Sequence, residues 1–126
     1  MSLKKIETNA APAPGGSYSQ GLRAGQFFFT AGLGPINPET GAIVGSTIEE
    51  QTRQAMNNLQ AILEAANMRF SNVVKTTVHL QNLREDFRGF DKIYQQYFSD
   101  PFPVRTTVGS TLNGFLIEID LVALAD

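Results

Sequence analysis

The sequence predicts an α+β fold in which two helices cover one face of a mixed β-sheet. Two segments repeat apolar residues at helical spacing, and several shorter segments carry the β-branched, aromatic or alternating residues typical of strands. Together they give the order β-β-β-α-β-α-β-β. A length of 126 residues fits one domain, residues 1–126. The uncovered sheet face is part apolar and part polar, which predicts that another subunit covers it.

The N-terminal third begins with a loop and continues into a strand. Residues 9–17, NAAPAPGGS, are rich in Pro, Gly and Ala and therefore predict the loop. In the following QFFFTAG, the run of Phe residues at 27–29 predicts a strand that is buried on both faces. The stretch GPINPETG then predicts a turn, because Pro38 fixes its φ angle and Gly41 accepts a positive one.

The first helix is predicted to begin after Thr47 and to end near Asn67. Thr47 and Glu50 have the spacing of a capping box, in which each side chain accepts a hydrogen bond from the other residue's backbone N–H. Glu49 and Glu50 also suit the positive end of the helix dipole. The predicted buried stripe comprises Ile48, Thr52, Ala55, Leu59, Ile62, Leu63 and Ala66.

A strand and a second helix follow. Alternation in the stretch SNVVKTTVHLQN predicts a strand with two distinct faces. One face comprises Val74, Thr76, Val78 and Leu80, and the other comprises Val73, Lys75, Thr77 and His79. The second helix is predicted over residues 84–98. Its aromatic face, which should pack in the core, comprises Phe87, Phe90, Tyr94, Tyr97 and Phe98.

Two strands complete the predicted sheet. The stretch PFPVRTTVGS, residues 101–110, is rich in β-branched residues, and FLIEIDLVALA, residues 115–125, alternates strictly. Asn113 and Gly114 predict a tight turn between the two strands. The sequence therefore predicts that these strands pair with each other as a hairpin.

The composition argues against several classes of function. A formal net charge of −2 and scattered Lys and Arg residues argue against a nucleic-acid partner. Without Cys the chain has no thiol nucleophile or thiolate metal site, and the single His79 is too little for an ordinary zinc site. No apolar run reaches a membrane span, and the N-terminus lacks an apolar signal region, which predicts a cytoplasmic protein without a membrane partner.

Arg105 is the most informative residue, because it stands in a strand among small and apolar neighbours. Its planar guanidinium could hold the carboxylate of a ligand, or it could form a structural salt bridge to Glu118 or Asp120. These two acids share one face of a strand, either as a paired acid and base or as a solvated polar surface. His79 fits a half-buried polar residue better than a catalyst.

The chain resembles the RidA/YjgF reactive-intermediate deaminases along nearly its whole length. The resemblance rests on the order and spacing of short stretches: GGSYSQG, FFFTAGLGPINPETG, EEQTRQAMNNLQAILEAAN, NVVKTTVHLQNL, FDKIYQQYF, FPVRTTV and IEIDLVALA. It implies a fold like that of the Bacillus type of chorismate mutase. It also implies a homotrimer whose sheets form a central barrel, with clefts for a small carboxylate substrate between the subunits.

The resemblance also implies roles for individual residues. Arg105 would hold the substrate carboxylate, and the backbone N–H of Gly32 would bind the same group. Tyr18 would border the cleft, and Glu118 would orient a water molecule. The expected catalytic residues are therefore Arg105, Glu118 and Tyr18. The expected substrate-binding residues are Gly32, Arg105, Thr107 and Asp91.

The implied reaction is hydrolysis of an enamine or imine, such as 2-aminoacrylate, 2-iminopropanoate or 2-iminobutanoate, to a 2-keto acid and ammonia, without metal or cofactor. The chain departs from the family pattern where Pro, Ser, Gln, Asn and Cys are common; here these positions hold Ser17, Ala31, Leu33, Asp91 and Thr107. The loop that ends in STLNG is also short. The alternatives are a non-catalytic carboxylate-binding trimer that acts as a sensor, or a trimeric interaction protein. Retention of Arg105 and Glu118 favours the deaminase, whereas Ala31 favours the binder.

Overall fold

Six strands form one mixed sheet. The computed structural model describes residues 2–126, with strands β1 (Leu3–Ile6), β2 (Gly21–Ala24), β3 (Phe27–Thr30), β4 (Val73–Leu80), β5 (Val104–Gly109) and β6 (Ile117–Leu124). Their order across the sheet is β1-β2-β3-β6-β4-β5. Neighbouring strands are antiparallel except for β4 and β5, which are parallel. The predicted α+β class and the predicted order of elements along the chain are confirmed.

Two helices pack on one face of this sheet. Helix α1 (Ile48–Ala65) contacts β6, and helix α2 (Leu83–Tyr94) contacts β4 and α1. Within residues 2–126 neither helix is both long enough and apolar enough to cross a membrane. The core between helices and sheet includes the fully buried Phe28, Leu59, Ile62, Phe90 and Ile119. Burial of such side chains contributes about 1.5–3 kcal/mol each to folding.

The predicted start of α1 is confirmed. Thr47 Oγ1 accepts a hydrogen bond from the Glu50 N–H at 3.2 Å, and Glu50 Oε1 accepts from the N–H groups of Ser46 and Thr47 at 3.0 and 3.2 Å. The hydrogen bond from Ser46, followed by those from Thr47, lowers the pKa of Glu50 below its ordinary value. The helix ends at Ala65, just before Asn67, whose positive φ of 59° stops it.

Helix α2 is shorter than predicted. It ends at Tyr94, and residues 95–97 continue as a tighter 3-10 turn. The tightening brings Tyr97 and Phe98 against Phe70, with ring centroids 5.4 and 5.3 Å apart in edge-to-face geometry. Aromatic packing of this kind therefore replaces the last turn of the predicted helix.

The predicted hairpin between the last two strands is wrong. Strand β5 pairs in parallel with β4, and β6 lies between β3 and β4. The reason is the connection through α2, because a helix between two strands returns the chain to lay the second strand parallel to the first. Gly114 does have the positive φ of a turn residue, 90°. Residues 110–116 nevertheless form a longer loop that spans the end of β4.

The sheet face opposite the helices carries exposed apolar side chains, and it is called the open face below. Phe28 points towards the helices and is fully buried, whereas Phe27 and Phe29 lie on the open face and are 46% and 44% exposed. The prediction that β3 is buried on both faces is therefore wrong for a single chain. Val122 and Leu124 of β6 lie opposite these two rings, so the apolar surface extends across both strands.

A β-bulge changes the side-chain pattern at the start of β4. The pairing of β4 with β6 shifts register between Val73 and Lys75. Val73 is therefore buried on the same side as Thr76, and Val74 is exposed, so these two residues exchange the faces that alternation predicts. Beyond the bulge the predicted alternation is confirmed, and the face with Thr76, Val78 and Leu80 is buried against the helices.

Candidate functional site

A cavity of about 350 Å³ lies where the chain leaves β3. Its walls include Tyr18, Ala31, Gly32, Phe115 and Glu118. Three of the predicted site residues therefore come together at one place. The volume is at the lower end of the range for ligand pockets, roughly 300–1,000 Å³, and fits a small molecule. Ala31 brings no side-chain hydroxyl to this wall, as the sequence led us to expect, and contributes only a methyl group.

Glu118 and Gly32 lie in close contact in this cavity. A Cβ atom added at Gly32 would lie 2.5 Å from Glu118 Oε2 and 2.8 Å from its carboxyl carbon, closer than such atoms tolerate. Glycine therefore allows the carboxylate to lie directly against the backbone. Among residues 2–126 the Gly32 N–H has no hydrogen-bond partner, so it is available to a ligand.

Tyr18 borders the cavity from the N-terminal loop. Its side chain is about half exposed, and its Oη accepts a hydrogen bond from the Gly15 N–H at 3.0 Å. The Tyr18 N–H donates to the Gly16 carbonyl at 2.9 Å, which closes a small turn under the ring. The hydroxyl proton is not consumed by the bond from Gly15, so Tyr18 can donate it to a ligand.

The buried Gln20 fixes the loop that carries Tyr18. Its Nε2 donates to the carbonyl oxygens of Ala11 and Pro12 at 3.2 and 2.7 Å, and its Oε1 accepts from the Thr8 N–H at 2.7 Å. A buried amide without such partners costs about 1–3 kcal/mol, so the loop and Gln20 stabilise each other. The sequence did not predict this role, because nothing around Gln20 distinguishes it from a surface residue.

Asn58 of α1 fixes the opposite wall. Its Nδ2 donates to the carbonyl oxygens of Gly34 and Ile36 at 3.0 and 2.9 Å, and its Oδ1 accepts from Gln54 Nε2 at 3.0 Å. The side chain is fully buried, although α1 otherwise directs mostly apolar residues inwards. Asn58 was missed as a site-supporting residue, and its place beside the apolar stripe was the signal that could have revealed it.

Arg105 lies against α2, away from this cavity. Its Cζ lies 5.5, 5.1 and 4.8 Å from the ring centroids of Phe87, Phe90 and Tyr94. Its Nη1 donates to Asp91 Oδ1 at 2.7 Å. The side chain is 21% exposed, so the rings and the carboxylate hold a guanidinium that solvent and small ligands can still reach.

Tyr94 supports Arg105 from the core. Its hydroxyl forms a hydrogen bond of 2.8 Å with Thr76 Oγ1, and its ring is buried. Burial raises the pKa of Tyr94 above its ordinary value, and the Thr76 hydrogen bond and the charge of Arg105 oppose this shift only in part. Tyr94 therefore stays neutral at physiological pH and presents an uncharged ring to the guanidinium.

The predicted site residues divide into two groups on opposite sides of the sheet. Across the strand pairs, Arg105 lies opposite Thr76 and Glu118 lies opposite His79. Thr76 and His79 are three residues apart on β4 and so point to opposite faces. Thr107, two residues beyond Arg105, shares the Arg105 face. Within one chain, the group at Arg105, Asp91 and Thr107 cannot contact the same small ligand as the group at Tyr18, Gly32 and Glu118.

The expected structural partners of Arg105 are wrong. A salt bridge to Glu118 or Asp120 required β5 and β6 to be neighbours, and β4 separates them. The observed ion pair is instead to Asp91 on α2. Both a structural and a ligand-binding role remain compatible with this pair, because part of the guanidinium is exposed.

Asp120 and His79 lie outside the cavity. Glu118 and Asp120 share the open face, as predicted, but only Glu118 is part of the cavity wall. Burial raises the pKa of Asp120, and electrostatic interactions with His79 and Lys75 reduce that effect. His79 Nδ1 forms a hydrogen bond of 2.7 Å with Ser110 Oγ. His79 is therefore a half-buried polar residue, as its sequence context indicated.

A larger cavity, of about 440 Å³, lies beyond the end of α2. Its walls include Phe70, Tyr97, Phe98 and Pro103, and none of the predicted site residues. Among the described residues that line it, Asp100, which is exposed, is the only carboxylate, and none is Lys, Arg or His, so it offers no positive charge to anchor a carboxylate ligand. In the part of the chain that the structure describes, no cluster of three or more His, Asp or Glu side chains could hold a metal ion.

Comparisons with known proteins agree along nearly the whole chain. A family model described as Endoribonuclease L-PSP matches residues 8–125. A RutC family protein of Pyrococcus horikoshii is 43% identical over 120 residues, which span 94% of each chain. The chloroplastic Reactive Intermediate Deaminase A of Arabidopsis thaliana is 40% identical over 97% of this chain and 67% of its own length. The crystal structure of E. coli TdcF with bound serine has a TM-score of 0.90 at 33% identity, over 98% and 99% of the two chains.

Proposed function

The chain belongs to the Endoribonuclease L-PSP family, which includes the YjgF/RidA proteins, and on this premise we propose that it hydrolyses small reactive enamines and imines to 2-keto acids and ammonia. The observation that carries the proposal is the position of Glu118, whose carboxylate lies against the Gly32 backbone in a cavity for a small molecule. The name of the Arabidopsis relative, a reactive intermediate deaminase, supports the same reaction class.

The proposed reaction consumes one water and releases one ammonia. An enamine such as 2-aminoacrylate first gains a proton at its terminal carbon and loses one from nitrogen, which gives 2-iminopropanoate. Water then adds to the imine carbon, a proton moves to nitrogen, and the C–N bond breaks. The carbon becomes the keto group of pyruvate without any change of oxidation state. The chemistry therefore asks the protein only for positioning and proton transfer.

Each group has a role in this reaction. Glu118 orients the attacking water and takes up its proton. Arg105 binds the substrate carboxylate through its guanidinium, and the free Gly32 N–H binds the same carboxylate. Tyr18 is the hydroxyl that can donate to the departing nitrogen. Thr107, beside Arg105, contacts the substrate from the same strand.

The proposed site is completed between two subunits of a homotrimer. Arg105 and Glu118 point to opposite faces of the sheet and stand on strands that β4 separates, so they can share a ligand only if they come from different chains. The exposed Phe27 and Phe29 of the open face support such an assembly, because exposed aromatic surface is usually covered by a partner.

The solution mass should therefore be about three chains, and mixed assemblies test the shared site directly. Arg105→Lys and Glu118→Gln subunits, each poorly active alone, should regain activity when they are produced together. In randomly mixed trimers about one quarter of the clefts combine an intact Arg105 with an intact Glu118, so about one quarter of wild-type activity is expected. A stable monomer in light scattering, or a mixture no more active than its parents, would contradict the shared site.

A second candidate function is non-catalytic binding of small carboxylates, as in a sensor. Two observations favour it: Ala31 brings no hydroxyl to the cavity wall, and Arg105 is already paired with Asp91. Ammonia release from imino acids generated in the same tube by an amino acid oxidase separates the candidates. The deaminase should shorten the lifetime of the imine at substoichiometric concentration. Identical ammonia release with and without the protein, together with measurable carboxylate binding, would show that the protein binds carboxylates without catalysing the reaction.

RNA cleavage, which the family description names, is a further outcome that the same preparations can test. A net charge of −2 without a basic stripe gives little attraction for a polyanion. A single guanidinium, already paired with Asp91, suits a small ligand better than a phosphate backbone. Degradation of RNA by the wild type, and not by Glu118→Gln, would favour a nuclease function over the deaminase function.

Gly32→Ala should lower imine turnover by about 10-fold without unfolding the protein, because the added methyl group pushes the end of the flexible Glu118 side chain out of position. The thermal midpoint should change by only a few degrees, about 1 kcal/mol. Gly109→Ala is the matched control, since its added Cβ would meet only ordinary contacts at 3.5 Å or more. If both alanine variants turn over imine like the wild type, close approach of Glu118 to residue 32 is not required.

A further inference from the structure

One acidic residue interrupts the aromatic face of α2. Phe87, Phe90 and Tyr94 all lie against Arg105, and Asp91 shares their face because these positions are three or four residues apart on a helix. Asp91 Oδ1 accepts a hydrogen bond from Arg105 Nη1 at 2.7 Å. Helix α2 therefore gives the guanidinium three uncharged rings and one negative charge.

The ion pair leaves both partners with unused capacity. A guanidinium has five N–H donors. Within residues 2–126 the Arg105 guanidinium forms one hydrogen bond, which goes to Asp91. The Asp91 side chain is 42% exposed, and in the same part of the chain its second carboxylate oxygen has no hydrogen-bond partner. A ligand can thus bind the free donors of Arg105 while Asp91 remains beside it.

We propose that Asp91 makes the Arg105 subsite select ligands that carry a positive charge next to their carboxylate, namely α-amino acids and protonated imino acids, over plain anions such as 2-keto acids. The inference rests on the proposed function, because it takes Arg105 as the anchor of the ligand carboxylate. A zwitterionic ligand places its carboxylate on Arg105 and its cationic nitrogen near Asp91. A plain anion binds the same guanidinium but is repelled by Asp91.

The charges of Arg105 and Asp91 set the direction and the size of this preference. Arg105 and Asp91 together carry no net charge, so the subsite attracts a plain anion far less than an unpaired arginine would. The ion pair is partly exposed, and solvent weakens its electrostatic interactions. A preference on the order of 10-fold in affinity is therefore expected for the zwitterion.

The selectivity would separate substrate from product. The protonated imine carries a positive nitrogen beside its carboxylate, and hydrolysis removes that nitrogen as ammonia. The remaining 2-keto acid has only its negative charge and is repelled by Asp91. The same carboxylate that favours substrate binding therefore favours product release, and 2-keto acids should inhibit the protein weakly.

Asp91→Asn tests the proposal with little change of shape. The asparagine amide oxygen can still accept the hydrogen bond from Arg105, so the variant removes the charge and keeps the anchor in place. Calorimetry measures the affinities of alanine and pyruvate, which have the same carbon skeleton. The wild type should bind alanine more tightly, and in Asp91→Asn the alanine-to-pyruvate affinity ratio should fall about 10-fold, mainly through tighter pyruvate binding. Glu64→Gln, which removes a negative charge from the exposed side of α1, should leave the ratio unchanged.

Three results would overturn the proposal. An unchanged ratio in a folded Asp91→Asn variant would make the ion pair purely structural. A wild-type protein that prefers pyruvate, or that does not bind alanine, would refute the selectivity without any variant. These measurements involve no turnover. Loss of ammonia release with the preference intact would therefore refute only the deaminase, whereas ammonia release without the preference would refute only the role of Asp91.

Discussion

Glu118→Gln should retain the fold and bind pyruvate, yet lower imine turnover by roughly one to three orders of magnitude, the usual reach of general acid–base catalysis. Glutamine keeps the shape of the side chain and can still accept a hydrogen bond. It cannot take up a proton, and it does not stabilise a cationic iminium as a carboxylate does. Pyruvate should bind slightly more tightly, because one negative charge has left the cavity. Calorimetry and ammonia release on the same preparations measure both effects.

Asp120→Asn is the matched control for this variant. Asp120 lies two residues further along β6 on the same face of the sheet, but outside the cavity. Its turnover should stay close to that of the wild type. Equal losses of binding and turnover in Glu118→Gln would mean that Glu118 only shapes the cavity. Unchanged turnover would remove it from the mechanism and leave Arg105 as an anchor for a spontaneous hydrolysis.

Arg105→Lys should cost about 1–3 kcal/mol of transition-state stabilisation, the scale of one charged hydrogen-bond contact. Lysine keeps the positive charge but loses the planar fork that binds a carboxylate with two hydrogen bonds. It also loses the flat stacking on Phe87, Phe90 and Tyr94. The value of kcat/KM for ammonia release measures the effect. The fold should survive, because Arg105 is partly exposed on an edge strand.

Arg88→Lys is the control for this substitution, because Arg88 is an exposed arginine on α2. It should change neither activity nor stability beyond the usual spread for surface substitutions, about 0.5 kcal/mol. If Arg105→Lys unfolds under conditions where Arg88→Lys is stable, the ion pair with Asp91 is a structural element, and the carboxylate anchor must be sought elsewhere.

The local elements of the fold were predictable because short-range chemistry determines them. The capping box at Thr47 and Glu50 specifies where α1 begins, and strict alternation specifies the two faces of β6. The β-bulge at Val73 was not predictable, because an extra residue in a strand leaves no mark in a pattern of similar side chains.

The order of the strands depended on connections rather than on composition. Asn113 and Gly114 suggested a hairpin, but a turn residue specifies only a local bend and not the strand that follows it. The helix between β4 and β5 was the stronger constraint, because it places these two strands side by side and parallel. Because β4 lies between β5 and β6, the expected contact of Arg105 with Glu118 or Asp120 is absent.

The residues of the candidate site were predictable only where they belong to sequence motifs of a known family. That pattern pointed to Tyr18, Gly32 and Glu118, and the structure brings these together at one cavity. The ion pair joins Arg105 to Asp91 of α2, which lies 14 positions earlier in the chain. The sequence around either residue alone does not predict this pairing. The readable signal was an acid at helical spacing within an aromatic stripe.

The supporting amides were hidden for a different reason. Gln20 and Asn58 act through backbone carbonyl groups, which every residue has, so the sequence does not show which carbonyls they hold. Burial distinguishes them from ordinary polar residues. The apolar stripe of α1 pointed to burial of Asn58, whereas no sequence signal did so for Gln20.

The central place of β6 affects how a newly made chain can fold. It is the last of the six strands to be synthesised, yet it lies between β3 and β4. Strand β3 can pair with β2 and β4 with β5, but each lacks its second neighbour until residues 117–124 leave the ribosome. Pairings between such distant segments form slowly. Until then the nascent chain exposes two unpaired strand edges and the apolar side of α1. Surfaces of this kind promote aggregation and are bound by chaperones. Its most vulnerable moment therefore comes just before β6 becomes available.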